Sequence, residues 1–285
     1  MRRDRQIPRH DDHDATVQEG VGMPTGIDHV VILVPDLDRA VEQYTALGFT
    51  VTPGGKHARF THNALIPFHD GSYLELIAFY EEPSGEGDET HRWHTYLAAG
   101  GGLIDFALGD PNVNALIADA DTRGVKLGGP HQGQRARPDG QQLSWQSAMA
   151  EGDNVGALPF VIEDVSDRGL RVPADAADHD NMVRGIRSLV VAVRDVDAAV
   201  QRYNALLGRE MPSGENLKNL EDGDGVYYLV GDQRIDLAAP TGPGPLQDHL
   251  DRRGEGPFEL SLMARDTVDI DPARAGGARI RLIAG

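Results

Sequence analysis

The feature that most constrains the fold of this chain is an internal repeat. The stretch GIDHVVILVPDLDRAVEQYTALGF, which begins at Gly26, recurs 159 residues later as GIRSLVVAVRDVDAAVQRYNALLG, which begins at Gly185. Each copy has an apolar run rich in β-branched residues, an aspartate at an N-cap position, and apolar residues at helical spacing. This pattern is typical of a strand followed by an amphipathic helix. Repetition at a fixed period indicates that the chain is built from copies of one structural unit.

Two fainter copies complete the repeat. The stretch from Leu103 to Val125 aligns with the first copy without a gap, and Pro257 to Asp271 starts a fourth copy. Strand patterns follow each predicted helix, and Asp70-Gly71 between two of them is typical of a β-hairpin. The sequence therefore predicts an α+β fold of tandem βαβββ units in two pairs, with only one further strand in the fourth unit.

Connectors between the repeats divide the chain into predicted domains. Residues 1–23 are polar and predict a disordered leader, and residues 24–165 form a first domain of two units. The Asp/Ala-rich residues 166–183 predict a linker, and residues 184–285 form a second domain whose last unit is truncated. We expect the second domain to be structural or to form a dimer contact.

The charge of the chain narrows the classes of partner. Of 285 residues, 45 are Asp or Glu and 27 are Lys or Arg, which gives a net charge of −18. Such a surface repels nucleic-acid phosphates and anionic membranes, so we expect a small-molecule substrate, no nucleic acid or membrane partner, and a homodimer as one candidate assembly. No cysteine is present, which excludes disulfides and thiolate sites. We predict a cytoplasmic protein, and the acidic composition is also typical of high-salt cytoplasm.

Three motifs in the first half carry a resemblance. They are the apolar-Asp-His start of the first strand, the run HARFTHNALIPF followed by DGSYLELIA, and the later run RPDGQQLSW that begins at Arg137. Together they resemble the bacterial glyoxalase-like domain family of the vicinal oxygen chelate superfamily. The resemblance implies paired units whose open, curled sheets surround a cavity, where a divalent metal ion meets a substrate with two adjacent oxygens.

The register of the predicted hairpin indicates which side chains share a face. If Asp70-Gly71 is a two-residue turn, Glu75 lies opposite Ile66 and Phe79 lies opposite His62. Glu75 and His62 then point the same way, and a carboxylate between apolar neighbours needs a cationic partner. We predict Glu75 as a catalytic group, with His62 as a general base or substrate contact; a hydrogen-bonded His62 without a role fits equally well.

A metal site follows from the same placement together with the resemblance. His29 and Glu75 are predicted as ligands, and Asp105 occupies the position of His29 in the second unit. The metal is a divalent ion, with zinc, manganese, nickel and iron as candidates. The alternatives are a core histidine at His29 and a salt bridge from Glu75 to Arg59 or Arg137. The strand that matches Glu75 in the second unit offers Phe160 or Ile162, so a second glutamate is missing.

Other residues complete the predicted site. Asn63, Arg137 and Trp145 are predicted substrate contacts, and a core position is the alternative for Trp145. Arg135 and Arg137 could bind a carboxylate of the substrate from two sides. The connector residues His91, Trp93 and His94 fit either a lid or a surface helix. In the second half, Ser188 stands at the His29 position of the third unit, Asp236 at the Glu75 position, and Glu259 at the His29 position of the fourth unit, so none of these positions offers an imidazole.

Three functions remain open from the sequence. The first is a metal-dependent lyase or isomerase that acts on a small oxygenated metabolite in the first-domain cavity. The second is a non-enzymatic protein that binds and sequesters a small molecule, as resistance-type relatives in the superfamily do. The third is an extradiol-type dioxygenase, which is disfavoured because such iron sites use two histidines and one carboxylate and only His29 is well placed.

Overall fold

The chain folds as two halves that share one plan. The computed structural model describes residues 23–58, 60–81, 91–152, 156–215 and 222–285, so the predicted leader lies outside the described residues except for its last position. Three complete βαβββ units follow one another, and a fourth starts at residue 256. The fold class predicted from the repeat is confirmed.

The elements of the first half are, in chain order, β1 (Gly26–Leu33), α1 (Leu37–Ala46), β2 (Thr52–His57), β3 (Thr61–Pro67), β4 (Tyr73–Phe79), α2 (Thr95–Ala98), β5 (Gly102–Gly109), α3 (Val113–Thr122), β6 (Leu127–Ala136), β7 (Gln142–Ala150), β8 (Phe160–Asp164) and α4 (Arg168–Arg171). The strands form a closed barrel in the order β1-β4-β3-β2-β6-β7-β8-β5. Pairing of β2 with β6 closes it, so this sheet has no free edge. We call this half the barrel.

The second half contains β9 (Gly185–Ala192), α5 (Val196–Leu207), β10 (Gly214–Glu215), β11 (Gly223–Val230), β12 (Gln233–Pro240), α6 (Pro245–Arg253), β13 (Gly256–Ala264), β14 (Val268–Ile270) and β15 (Ile280–Ala284). These strands form a seven-stranded sheet in the order β10-β11-β12-β9-β13-β15-β14, which we call the open sheet. The fourth unit has two strands after β13 rather than the single strand predicted, and its described residues contain no α-helix.

The helix signals in the repeat act as predicted. Asp36 accepts a hydrogen bond from the backbone N–H of Arg39 at 3.0 Å, and Asp195 accepts one from Ala198 at 3.0 Å. Each side chain satisfies a backbone donor that the first helical turn leaves unpaired. α5 ends at Gly208, whose φ of +63° is the left-handed conformation that glycine adopts readily.

One continuous core joins the two halves. The repeated tyrosines Tyr44 of α1 and Tyr203 of α5 are fully buried. Tyr44 donates to the carbonyl oxygen of Ala275 at 3.0 Å, and Tyr203 donates to that of Ala157 at 2.9 Å. Each helix therefore contacts the other half of the molecule through the same repeat position. The outer faces of both sheets pack into this core, which leaves the inner faces for other contacts.

The hairpin between β3 and β4 differs from the predicted register. Phe68 donates its backbone N–H to Ser72 at 2.8 Å, and Gly71 has a φ of +83°. The loop therefore has three residues rather than two, a known hairpin type with a left-handed glycine. As a result Glu75 pairs with Leu65. A one-residue shift exchanges the faces of a strand, so the prediction that Glu75 and His62 share a face is wrong.

Among the described residues, no helix has both the length and the apolar character needed to cross a membrane.

Candidate functional site

The barrel encloses a cavity of about 530 Å³, within the size range of small-molecule sites. Its two walls differ in chemistry. One wall is polar and is contributed by β1, β2, β3, β4 and β6: His29, His57, Asn63, Glu75 and Arg135. The other wall is largely apolar and is contributed by β7, β8 and the connector before α2: Trp93, Trp145, Met149, Phe160 and Ile162.

Glu75 lies at the centre of the polar wall. It projects from the inner face of β4 and is only 6% exposed. Asn63 donates from Nδ2 to Glu75 Oε1 at 2.6 Å. The Nε2 atom of His29 is 3.6 Å from Oε2, and the Nε2 atom of His57 is 3.8 Å from Oε1. One buried carboxylate therefore faces two imidazoles, with a single hydrogen bond holding it in place.

His29 is oriented by the residue before it. A register shift in the β1–β5 ladder leaves Asp28 without a cross-strand partner. Such a bulge lets consecutive side chains meet, and His29 Nδ1 is 2.7 Å from Asp28 Oδ1. Burial by itself would raise the pKa of Asp28, but Arg171 and the contact with His29 hold this pKa well below its usual value. Asp28 is thus ionised, and its contact with Nδ1 turns the other ring nitrogen of His29, Nε2, towards Glu75.

Arginines from the segment after β8 keep Asp28 ionised. Arg171 donates to both oxygens of Asp28, at 2.8 and 3.0 Å, and to the hydroxyl of Tyr73 at 2.8 Å. Arg168 donates to Asp28 Oδ2 at 2.6 Å. The short helix α4 therefore closes one end of the barrel with two cations. A bidentate arginine–carboxylate pair of this kind is geometrically specific.

His57 is the second imidazole at Glu75. Its Nδ1 atom is 2.8 Å from Thr61 Oγ1, and its ring meets Trp145 edge-on at 5.9 Å between centroids. Burial lowers the pKa of His57, although the negative charge of Glu75 opposes the shift. A neutral imidazole therefore stands next to the carboxylate at neutral pH.

Arg135 supplies the positive charge on this wall. It donates to Asn63 Oδ1 at 3.0 Å and to the carbonyl oxygen of Arg171 at 3.3 Å. Burial lowers the pKa of Arg135, since a buried cation loses its hydration. Asn63 thus bridges a guanidinium and the carboxylate of Glu75. Of the two salt bridges considered as alternatives for Glu75, the one to Arg137 is not present, because Arg137 pairs with Asp139, and Arg59 lies outside the described residues.

Asp105 does not reach the other predicted metal ligands. It is fully buried on β5, accepts a hydrogen bond from Trp93 Nε1 at 2.8 Å, and pairs with Arg92. The β5–β8 register places Phe160 where the first unit has Glu75. No group of three or more His, Asp or Glu residues in the described part of the chain is arranged to hold a metal ion. The predicted ligand set of His29, Glu75 and Asp105 therefore does not fit a metal centre.

Two other predicted site residues lie away from the cavity. His62 projects from the outer face of β3, where its ring meets Tyr80 at 6.0 Å. Arg137 lies at the turn between β6 and β7, pairs with Asp139 at 3.1 Å, and donates to the carbonyl oxygen of Leu170 at 2.8 Å. The three-residue hairpin loop explains the position of His62. Asn63, which follows His62 in the sequence, lies beside Glu75 in the place that was predicted for His62.

The sequence interpretation missed His57 and Asp28 and left the connector open between two roles. His57 is at the end of β2, where β2 pairs with β6, and no local pattern predicts that closing contact. Trp93 and Arg92 line the cavity, so these connector residues lie beside the site, and a lid function of the connector stays a prediction. The adjacent Asp28-His29 pair was visible in the sequence, but strict strand alternation places the two side chains on opposite faces.

Comparisons with known proteins identify the family. A family profile described as "Glyoxalase-like domain" matches residues 27–207, which is more than half of the chain. Comparison with curated proteins finds no match.

Among solved structures, a hypothetical protein from Staphylococcus aureus matches with a TM-score of 0.69 and 13% identity over 91% of this chain and 99% of its own. A triple mutant of 4-hydroxymandelate synthase from Streptomyces coelicolor matches with a TM-score of 0.58 and 14% identity, over 88% of this chain and 78% of that one. A fusion of a xylose isomerase-like TIM barrel with a 4-hydroxyphenylpyruvate dioxygenase matches at 0.52 and 15%, over 87% and 37%. At such identities these likenesses show the fold alone. The family match together with the paired βαβββ units shows that this chain belongs to the glyoxalase-like domain family of the vicinal oxygen chelate superfamily.

Proposed function

We propose that the barrel cavity binds a small oxygenated molecule and moves a proton on it, as an isomerase or a lyase. The observation that carries this proposal is the setting of Glu75. It is a buried carboxylate held by one hydrogen bond, with two imidazoles within 3.8 Å, in a cavity large enough for a small substrate. Titratable groups gathered in a cavity in this way are typical of acid–base sites.

Glu75 is the group that moves the proton. Its Oε1 atom is fixed by Asn63, so Oε2 is the oxygen available to take a proton from a substrate carbon next to a carbonyl group. Returning the proton to a neighbouring atom completes an isomerisation, and giving it to a leaving group completes an elimination. The neutral imidazole of His57 is placed to exchange the second proton that either reaction needs.

The charge that develops on the substrate oxygen also has a partner. Arg135 is buried beside the polar wall, and a cation in a water-poor site stabilises a developing oxyanion more strongly than it would in water. Asp28 acts as a positioning residue because it holds the ring of His29 rather than contacting the cavity space around Glu75.

The prediction of a bound divalent ion rests on the family resemblance, since many members use one. His29 Nε2 and Glu75 Oε2 face each other at 3.6 Å, so a polar group of the substrate can contact both of them. His29 and Glu75 would be two ligands of such an ion, whereas Asp105 is paired with Arg92 and is not placed to be a third. Metal analysis of the purified protein, with His29→Ala as the comparison, tests that prediction directly.

A second candidate function is binding without chemistry. Glu75 is already linked through Asn63 to the guanidinium of Arg135, so its charge is balanced inside the protein. A protein that sequesters a small molecule in this cavity needs no more than that. Such a protein binds its ligand equally well when Glu75 is replaced by glutamine.

Proton exchange distinguishes the two functions. Hydroxyacetone, glycolaldehyde and 2-hydroxyacetophenone are incubated with the protein in D₂O, and loss of the proton signal next to the carbonyl is followed by NMR. We expect exchange with at least one compound, and a roughly 10²–10⁴-fold slower rate for Glu75→Gln. The matched control is Asp236→Asn, at the equivalent position of the open sheet, which keeps the rate. Equal rates for the wild type and Glu75→Gln would rule the proposal out, and binding without exchange supports sequestration.

A further inference from the structure

Both tryptophans of the chain, Trp93 and Trp145, line the barrel cavity. Trp93 comes from the connector and lies 6.5 Å from the ring of Phe160, measured between centroids. With Met149 these residues form what we call the aromatic wall. The rings are held by specific contacts, since Trp93 donates to Asp105 and its neighbour Arg92 lies over the rings of Trp93 and Phe160 at 5.8 and 5.7 Å.

The indole of Trp145 is placed by a glycine on the adjacent strand. Gly133 pairs with Trp145 in the β6–β7 ladder. A Cβ atom at position 133 would lie 2.2 Å from Trp145 Cε2, a distance that real atoms do not adopt. The ring therefore lies against the backbone of β6, and Trp145 also lines the cavity. A flat, partly buried indole surface is stabilised when another apolar surface covers it.

The open sheet shows how the equivalent inner face is covered. There Val190, Ala192, Ala238 and Phe258 form a cluster with Leu246 and Leu250 of α6. The corresponding barrel residues, judged from the strand registers, are Val31, Leu33, Ile77 and Ile104. A helix in the connector thus supplies the apolar cover in the open sheet.

In the barrel the connector also covers this face, because Val31, Leu33, Ile77 and Ile104 are at most 1% exposed, but a cavity remains beside the covered residues. Counting back equally from Asp105 and Glu259, Tyr96 corresponds to Leu250, and both pack on the inner face. Arg92 corresponds to Leu246, but its guanidinium pairs with Asp105. The space beside it is the cavity, bordered by the aromatic wall on one side and by Glu75 on the other.

We infer that the barrel cavity takes a ligand with an aromatic ring that packs against the aromatic wall and an oxygenated substituent that reaches Glu75. This inference rests on the proposed function in so far as it treats the cavity as the substrate site. It adds the chemical class of the substrate, an arene that carries a carbonyl, hydroxyl or carboxylate group. The aromatic wall supplies the apolar surface that the ring covers, and Glu75 across the cavity supplies the polar contact.

Calorimetric titration of the full chain with three matched compounds tests the inference. They are 2-hydroxyacetophenone, hydroxyacetone, which lacks the ring, and cyclohexyl hydroxymethyl ketone, whose ring is saturated. We expect 2-hydroxyacetophenone to bind at least tenfold more tightly than hydroxyacetone and several-fold more tightly than the cyclohexyl compound. It also changes the intrinsic tryptophan fluorescence, because every tryptophan lines the cavity. Equal affinities, a preference for the cyclohexyl ring, or no binding of 2-hydroxyacetophenone at millimolar concentration would overturn the inference.

Two variants examine the wall itself. Trp145→Leu and, independently, Trp93→Leu lower the affinity for 2-hydroxyacetophenone about tenfold and leave that for hydroxyacetone unchanged. The control is Tyr80→Leu, because Tyr80 is 38% exposed and packs against Lys56 outside the cavity. Melting temperatures establish that each variant is folded, and unchanged affinity in both tryptophan variants contradicts the inference.

The outcome is separable from that of the proposed function. Glu75→Gln removes proton exchange but keeps the preference for the aromatic compound. Exchange without any preference for the ring overturns this inference alone. A preference for the ring without exchange overturns the proton transfer alone.

Discussion

The barrel and the open sheet are built on the same plan, yet among the described residues only the barrel brings two imidazoles to a buried carboxylate. Glu75 and Asp236 occupy equivalent positions, since each pairs with a valine of the neighbouring parallel strand, Val31 or Val190. Glu75 faces two imidazoles, whereas Asp236 pairs with Arg234 on its own strand, at 2.7 Å. In the open sheet the carboxylate at this position, Asp236, is paired with a neighbouring arginine. In the barrel the equivalent carboxylate, Glu75, faces a cavity. The difference teaches that one side chain two residues away decides whether this position is available for chemistry.

The connectors produce the second difference. α6 places Leu246 and Leu250 on the inner face of the open sheet. In the barrel the connector has only the four-residue helix α2, and Arg92 and Trp93 line the cavity instead. Arg253 at the end of α6 donates to the carbonyl oxygen of Leu103 at 3.0 Å and also to that of Gly101. Arg253 of the open-sheet half thereby contacts the start of β5 in the barrel.

The largest expected effect concerns the ion pairs of the two halves. Arg171→Met in the barrel leaves Asp28 and Asp164 without their buried partner, so we expect a loss of about 3–5 kcal/mol in the free energy of unfolding. Arg234→Met in the open sheet is the matched change; Arg234 is 34% exposed, although Asp236 is buried, and we expect loss of this partner to cost about 1–3 kcal/mol. Urea denaturation measures both. Equal losses of unfolding free energy in the two variants would show that the buried network of Arg171 contributes no more to stability than the pair of Arg234 with Asp236.

An intermediate effect is expected from the connectors. Leu250 is 1% exposed under α6, so Leu250→Ala creates a cavity and lowers the free energy of unfolding by roughly 3 kcal/mol. Leu97 is only partly buried against the inner face of the barrel, and Leu97→Ala is expected to lower it by about 1 kcal/mol. Thermal unfolding of the two variants compares how much each connector contributes to stability. A larger loss at Leu97 would show that the barrel connector is the tighter one.

The smallest effect concerns two histidines. Burial and neighbouring arginines lower the pKa to about 4 for His249 in the open-sheet half, and for His91 in the connector over the barrel. Between pH 6.5 and 4 the unfolded chain binds more protons at these rings than the folded chain does. Stability therefore falls as the pH falls through this window. Both rings are partly exposed, which reduces the contribution of each to roughly 2 kcal/mol.

Single replacements test this pH dependence. His249→Gln and His91→Gln each flatten the dependence of the free energy of unfolding on pH between 6.5 and 4, measured by urea denaturation at a series of pH values. His69→Gln is the control, because its side chain is 52% exposed in a surface pair with Asp178. An unchanged slope in both variants would show that these rings do not titrate differently in the folded chain.

The sequence by itself determined the units. The repeat around Tyr44 and Tyr203 carries its own signals, because apolar periodicity and an N-cap aspartate act over a few residues. The motifs that carry the family resemblance pointed to Glu75 and His29, and the repeat gave Asp236 and Ser188 as their counterparts without an imidazole. These predictions depend on local spacing, which a sequence contains in full.

Tertiary structure decided what surrounds those residues. A hairpin loop of three residues instead of two exchanged His62 for Asn63 beside Glu75, a bulge brought Asp28 to His29, and closure of β2 on β6 brought His57 and Arg135 to the same wall. Each event moves a side chain across a sheet face or joins segments far apart in the chain. Side chains of a strand alternate between two faces. A turn that is one residue longer therefore moves every side chain of the following pairing to the opposite face, although the sequence around it shows little sign of the change.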